Sequence, residues 1–372
     1  MKLKNISIIL SLICCLTVFS SARALAFQDQ TENISGPQNE DLHNNETQGE
    51  EEEFDAGEFI FEHIGDSHEW HVLTMPDGRH VSLYLPVIIY SKNKGLNVFS
   101  SRHLAHGHSY KGFKIIQEGE LEGKIVETDG KGQVNKEYIP LDLSVTKNVT
   151  AMLISAALLL WLFLSLARSY RKTGISEPKG IQGFLEPVVL FVRNDIAIPN
   201  IGEDKYGKYM PYLLTIFFFI LINNLLGLVP VFPGGANVTG NIGVTFTLAA
   251  FTMVITNVSG SKAYWQHIFN TPGVPWWLKL PVPIMPVIEL IGIIVKPFAL
   301  MIRLFANITA GHIILLSLVS LIFIFRSLTV APITLLMGLF MDCLEILVAF
   351  IQAYVFTLLS ALFIGLAVEE HH

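Results

Sequence analysis

The sequence predicts an all-α polytopic membrane protein. Five transmembrane helices are expected, the last two long and steeply tilted as a hairpin. An interfacial amphipathic helix accompanies them, and a small β-rich extracytoplasmic module precedes them. Three observations carry this reading. First, only 15% of the 372 residues are charged and the mean hydropathy is +0.48, whereas soluble domains carry roughly 25% charge. Second, apolar runs recur from Asn148 onward, each long enough for the roughly 20 helical residues that cross a bilayer core. Third, the chain opens with Lys2 and Lys4, an apolar Ile6–Phe19 run and the small-residue site Ala24-Leu25-Ala26. That order is a cleaved signal peptide over residues 1–26, which exports whatever follows it.

The formal charge of -7 is local in origin. Eleven of the 32 acids fall within residues 28–58, which hold no Lys or Arg; the rest of the chain is near neutral. Residues 27–58 therefore read as an acidic, disordered tail. No large basic face remains to neutralise phosphates, which excludes nucleic acid as a partner. Cys14 and Cys15 leave with the signal peptide, so Cys343 alone offers no intramolecular disulfide.

Residues 59–146 have strand character in "HEWHVLTM", "RHVSLYLPVIIY" and "GKIVETDGKGQV", with Asp77-Gly78 and Asp129-Gly130 as turn signals. Two histidine groups stand here, His63/His68/His71 and His103/His106/His108. Histidine is a common metal ligand. No cysteine accompanies these groups and their spacing matches no ligand pattern, so they read as surface histidines. No metal or cofactor is expected.

Residues 147–372 form the membrane channel domain, with spans at about 148–168, 209–230, 239–258, 285–325 and 332–368. The first ends in "ARSYRK", whose bases place that end in the cytoplasm. The stretch "GIQGFLEPVVLFVRNDIAIP" is amphipathic and broken by Glu186, Pro187, Arg193 and Asp195, as suits an interfacial helix. The second span closes at Pro230 and Pro233, and "SKAYWQHIFNTPGVPWWLKLP" reads as a cytoplasmic loop with interfacial tryptophans. This alternation leaves the C-terminus cytoplasmic. The last two spans would be roughly 55–60 Å long as helices, against a core of about 30 Å, so each is steeply tilted or broken.

Those two segments carry the informative polar residues. Ionisable groups within a bilayer are expensive and mark ion pathways. The first holds Glu289, Lys296, Arg303, Asn307 and His312; the second holds Asp342, Glu345, Gln352 and Tyr354. Glu289, Lys296 and Arg303 are seven apart, and seven residues return a helix to within about 20°. Asn307 lies one turn beyond Arg303. The short link "RSLTVA" makes a hairpin whose register levels Arg303 with Gln352 and His312 with Glu345, about 13 Å farther along. Arginine cannot lose its proton in a protein, and its own chain offers no acid at its depth. Its counter-charge should come from another subunit. His312 and Glu345 can each take and release protons.

"IELIGIIVKPFALMIRLFANITAGHIIL", "YLLTIFFFILINNLLGLVP" and "EILVAFIQAYVFTLLSALFIG" resemble subunit a, the stator proton-channel subunit in the membrane sector of bacterial rotary ATP synthases. The resemblance covers about residues 148–372. The N-terminal extension is similar to that of Bacteroidota-type members. The resemblance implies two offset half-channels beside a ring of c subunits, so that proton flow drives rotation and ATP synthesis. Arg303 would face the ring's membrane carboxylate, with Asn307 and Gln352 beside it. His312 and Glu345 would belong to the outer half-channel, and Glu289 would lie toward the cytoplasmic exit, seven residues before Lys296. Many members have Glu at the position of His312 and His at that of Glu345; this chain has them exchanged. Some members also carry Asp where Gly227 stands. The resemblance further implies a cell inner membrane location, a periplasmic N-terminal module and peripheral-stalk b subunits as partners. The chain has no phosphate-binding loop, so nucleotide chemistry belongs elsewhere. A proton- or ion-coupled secondary transporter is the alternative, but it predicts internal repeats and helices broken at mid-membrane, and no repeat is present.

Overall fold

The computed structural model describes residues 57, 60, 64–74, 80–116, 123–128, 139–173, 180–229, 234–269, 284–325 and 331–369. The signal peptide, most of the acidic tail, His63 and both Asp-Gly turn signals lie outside the described residues. The chain divides into two compact units. One comprises Met1–Ala151, Gly227–Ala236 and Gly311–Leu344; the other comprises Met152–Leu226, Asn237–Ala310 and Glu345–His372.

In the first unit, seven strands precede the long helices among the described residues. β1 (Glu69–Thr74) and β2 (His80–Tyr84) pair antiparallel. β3 (Pro86–Ser91) pairs antiparallel with β4 (Gly95–Ser100) on one side and with β7 (Leu141–Asp142) on the other. β5 (Phe113–Ile115) and β6 (Ile125–Glu127) form a third ladder. Strand alternation decides which side is buried. Val87 and Ile89 of β3 turn inward onto Leu104, Phe113 and Ile125, making a small dry core.

Helix α1 (Lys147–Thr173) follows without a linker. Lys147 N–H donates to the Ser67 carbonyl at 2.9 Å, and Asn148 N–H donates to Asp66 Oδ1 at 3.0 Å. Asp66 thus satisfies one of the amides that a helix start leaves open. Next come α2 (Ile181–Phe191), a π-helical segment (Val192–Ala197) and α3 (Ile198–Ile201). The expected interfacial helix is therefore present as helix, with a wide turn that carries Arg193 and Asp195 outward.

The remaining helices are α4 (Tyr206–Leu228), α5 (Ile242–Ser259), α6 (Lys262–Phe269), α7 (Ile284–Phe325) and α8 (Ala331–Val368). α6 corrects the sequence reading, which made this stretch a loop. The Ser261 hydroxyl accepts from Tyr264 N–H at 3.1 Å and so caps a new helix, along which Trp265 and Phe269 stack. Among the described residues four helices, Lys147–Arg171, Tyr206–Leu228, Ile242–Ser259 and Ala331–Val368, are long and apolar enough to cross a membrane. The fifth expected span falls on α7, whose apolar sequence is interrupted by Glu289, Lys296, Arg303 and His312. α7 and α8 are each unbroken, over 42 and 38 residues.

Helix α5 buries its smaller and more polar side. α5 turns Thr245, Ala249, Thr252 and Thr256 inward, while Phe246, Phe251, Val254 and Val258 lie exposed. Lipid is as apolar as leucine, so close packing and hydrogen bonds, rather than the hydrophobic effect, hold such helices together. Gly365 of α8 shows how close the approach is: a Cβ there would collide with the Asn200 carbonyl.

Candidate functional site

Arg303 lies on the outer flank of α7. It is exposed, with Ala299, Ala306, Asn307 and Ala310 exposed along the same side. The opposite side holds Leu300 and Leu304, buried in a cluster with Leu213 of α4 and Ala353 and Phe356 of α8. The helix is thus anchored by its aliphatic stripe and offers the guanidinium away from its own core. Among the described residues Arg303 enters no ion pair.

Gln352 is buried on α8, next to Ala353 of that core. Glu345 is also buried, two turns before it. His312 is half-buried. A Cβ built on Gly227 would stand 3.7 Å from His312 Nε2 and 3.4 Å from the Ala236 carbonyl oxygen. A side chain at this position would thus begin in ordinary van der Waals contact with the imidazole.

Lys296 is exposed, with its ammonium 5.7 Å from the centre of the Phe363 ring. It borders a cavity of about 30 Å³ lined also by Thr256, Asn257, Tyr264 and Ile293. The Tyr264 hydroxyl donates to Asn257 Oδ1 at 3.3 Å. Burial pushes the Tyr264 phenol above its ordinary value, and the negative charge of Glu289 pushes it the same way. Lys296 thus borders this recess, and Glu289, which does not line it, acts on the neighbouring Tyr264 through its charge.

Several polar residues were missed by the sequence reading. The Tyr212 hydroxyl and Thr252 Oγ1 are 2.9 Å apart, and Thr252 Oγ1 lies 3.3 Å from Ser360 Oγ, linking α4, α5 and α8. Asn224 is buried and accepts from the Thr239 hydroxyl at 2.7 Å. Asn223 Oδ1, Asn224 Nδ2 and Asn237 Nδ2 are buried with no hydrogen-bond partner among the described residues. The visible signal was the pair Asn223-Asn224 inside an apolar helix, since an amide in hydrocarbon demands partners.

Two histidines of the N-terminal module have described partners. His103 stacks on Tyr110 with ring centres 4.3 Å apart, and His68 Nε2 lies 2.9 Å from Asp142 Oδ2. Among the described residues no cluster of three or more His, Cys, Asp or Glu could hold a metal ion.

A family model described as ATP synthase A chain matches residues 149–365, and a second, described as a domain of unknown function (DUF8433), matches residues 59–146. Among curated proteins, ATP synthase subunit a of Chloroherpeton thalassium is 48% identical over 239 residues, 62% of this chain and 69% of that protein. ATP synthase subunit a 2 of Chlorobaculum tepidum is 50% identical over 263 residues, 68% of this chain and 72% of its own. ATP synthase subunit a of Myxococcus xanthus is 46% identical over 237 residues, 62% and 75% respectively.

Proposed function

The chain belongs to the ATP synthase A chain family, and from that premise we propose how its residues act. It is the non-catalytic, multi-pass membrane subunit with the stator's proton-translocating role. Nucleotide chemistry lies in the catalytic sector. The chain works with other membrane-sector subunits of the synthase.

The observation that carries the proposal is Arg303: a permanent charge exposed on the flank of an unbroken apolar helix, backed by a buried core. Such a charge is stable in a membrane only opposite a counter-charge. The reading supplies one from outside, the membrane carboxylate of a c subunit in the ring. The ionised carboxylate is held against Arg303. A proton arriving from the periplasmic side neutralises it, and the neutral acid can then enter lipid without the cost of burying a charge. After nearly a full turn it releases its proton to the cytoplasmic side. Arg303 meanwhile blocks a direct leak between the two half-channels.

His312 and Glu345, two groups able to exchange protons, serve the outer half-channel, with Asn224 as a further polar group on α4. Asn307 and Gln352 set the polar surroundings of Arg303. Glu289, with Lys296 and the recess bordered by Tyr264, serves the cytoplasmic exit. Supporting this assignment, these groups are polar or titratable and stand on helices that are otherwise apolar. On the same reading α7 and α8 form a steeply tilted hairpin. The chain sits in the bacterial inner membrane with residues 59–146 periplasmic and the C-terminus cytoplasmic, and peripheral-stalk b subunits hold it against rotation.

The test is ATP synthesis driven by an imposed proton gradient in vesicles carrying the assembled synthase. Arg303→Ala should abolish synthesis while the complex still assembles, because the side chain is outside the core. Synthesis at normal rates with Arg303→Ala would refute the mechanism.

A further inference from the structure

The sheet β4-β3-β7 is buried on one face only. Its inner residues, Val87 and Ile89, belong to the module's core. Its outer face is apolar, and the register makes that face continuous. Ile88 pairs with Val98 and Tyr90 with Leu96 on one side; Tyr90 pairs with Leu141 on the other, and Leu143 N–H donates to the Ile88 carbonyl at 2.9 Å. Two rows result, Val98–Ile88–Leu143 and Leu96–Tyr90–Leu141. Leu96 is 65% exposed, Leu141 59% and Val98 57%. The nearest strand acid, Asp142, alternates to the other side and bonds His68. A compact apolar patch of this kind on a soluble surface marks an interaction site.

The chain leading out of the sheet names the partner. β7 ends at Asp142 and α1 begins at Lys147. The strap between them is hydrogen-bonded throughout, with Val145 N–H on the Pro86 carbonyl at 3.0 Å and Lys147 N–H on the Ser67 carbonyl at 2.9 Å. No free linker separates sheet from helix. The bases at the far end of α1 begin at Arg168, and about 20 helical residues fill a hydrocarbon core. That count puts the boundary of the core at about Asn148, five residues from Leu143, or about 17 Å even if fully extended. The Leu143 edge of the patch is therefore tethered within about 17 Å of the hydrocarbon boundary, within reach of the headgroup layer of the leaflet from which α1 emerges. The patch's one tyrosine and the exposed Lys92 at the β3–β4 turn suit that layer, where aromatic rings and basic side chains settle beside lipid headgroups.

We propose that the outer face of sheet β4-β3-β7 is a membrane-contacting surface that lies on the lipid headgroups of this leaflet and fixes the N-terminal module to the bilayer. The test uses the full chain with Cys14, Cys15 and Cys343 replaced by Ser, reconstituted into vesicles of phosphatidylethanolamine and phosphatidylglycerol. Val98→Cys and Leu141→Cys carry an environment-sensitive fluorophore, and exposed Arg102→Cys serves as the control. All three positions are at the surface, so labelling leaves the core intact. The expected result is blue-shifted emission at 98 and 141, quenched by headgroup-proximal nitroxide lipids and protected from aqueous iodide, with the reverse at 102. Iodide quenching at 98 and 141 equal to that at 102 would overturn the proposal. So would protection from both quenchers, which would mean that protein, such as a second copy of the chain, covers the face.

Discussion

A guanidinium keeps its charge at any pH a cell meets, so Arg303 must be matched by position rather than by titration. That argument was available from the sequence, because one charge interrupts an apolar run and no acid in the chain shares its level. The structure added the direction: Leu300 and Leu304 face the core, and Arg303 faces out. Lysine is not an equivalent. An ammonium can surrender its proton when desolvated, and it lacks the planar fork that holds a carboxylate. Arg303→Lys is therefore expected to assemble normally yet lose proton-driven ATP synthesis nearly to background in vesicles. At Asp142 titration does matter. Burial pushes its carboxyl up, but hydrogen bonds from His68 and Ser144 outweigh that and hold it below the ordinary value of 3.8. A depressed carboxyl stabilises the fold above its unfolded value, and the contribution is lost as pH falls through the folded value. Asp142→Asn should thus lower the melting temperature near neutral pH and show less further loss than wild type below about pH 4. A thermal melt followed in the reconstituted chain reads this out.

The five long apolar stretches were legible as helices because length and hydropathy mark them, and four of those helices are long and apolar enough to cross a membrane. What pattern could not tell was which face each helix buries. The usual rule places large aliphatics inside; α5 buries threonines and exposes phenylalanines. Neither the Thr252 bridge to Tyr212 and Ser360 nor the close approach at Gly365 follows from periodicity, since both depend on which helices cross. α6 was missed because its start depends on one hydroxyl cap within a stretch rich in turn formers. Two substitutions test these contacts. Thr252→Val removes a hydroxyl that links three helices and should cost about 1 kcal/mol. Gly365→Ala forces a Cβ onto the Asn200 carbonyl and should cost about 1–3 kcal/mol. Gly207→Ala, where nothing lies within 4 Å, should cost nothing. Reversible unfolding in mixed micelles ranks the three, and equal losses at 365 and 207 would discredit the close crossing.

At the scale of the whole molecule, the exposed flank of α7 joins two properties that serve different ends. Its charge, Arg303, needs a counter-charge that the described residues do not provide. Its small residues, Ala299, Ala306 and Ala310, let another helix approach to near backbone contact. A flank made only for lipid would gain from large side chains there, as on α8, where Ile333, Leu336, Phe340 and Leu347 are exposed. On the proposed reading the flank of α7 is a seam for a partner helix, and that of α8 faces lipid. The two make opposite expectations under chemical labelling. Cysteine at Ala306 or Ala310 should react readily with a membrane-permeant maleimide in the isolated chain and should be protected several-fold once the rotor ring is assembled. Native Cys343, exposed on α8, should react equally in both states and so reports intact access to the membrane. Protection at 343 with none at 306 would reverse the assignment and place the rotor against α8. Equal reactivity of all three positions in both states would leave Arg303 facing lipid, where an unmatched charge is not tolerable.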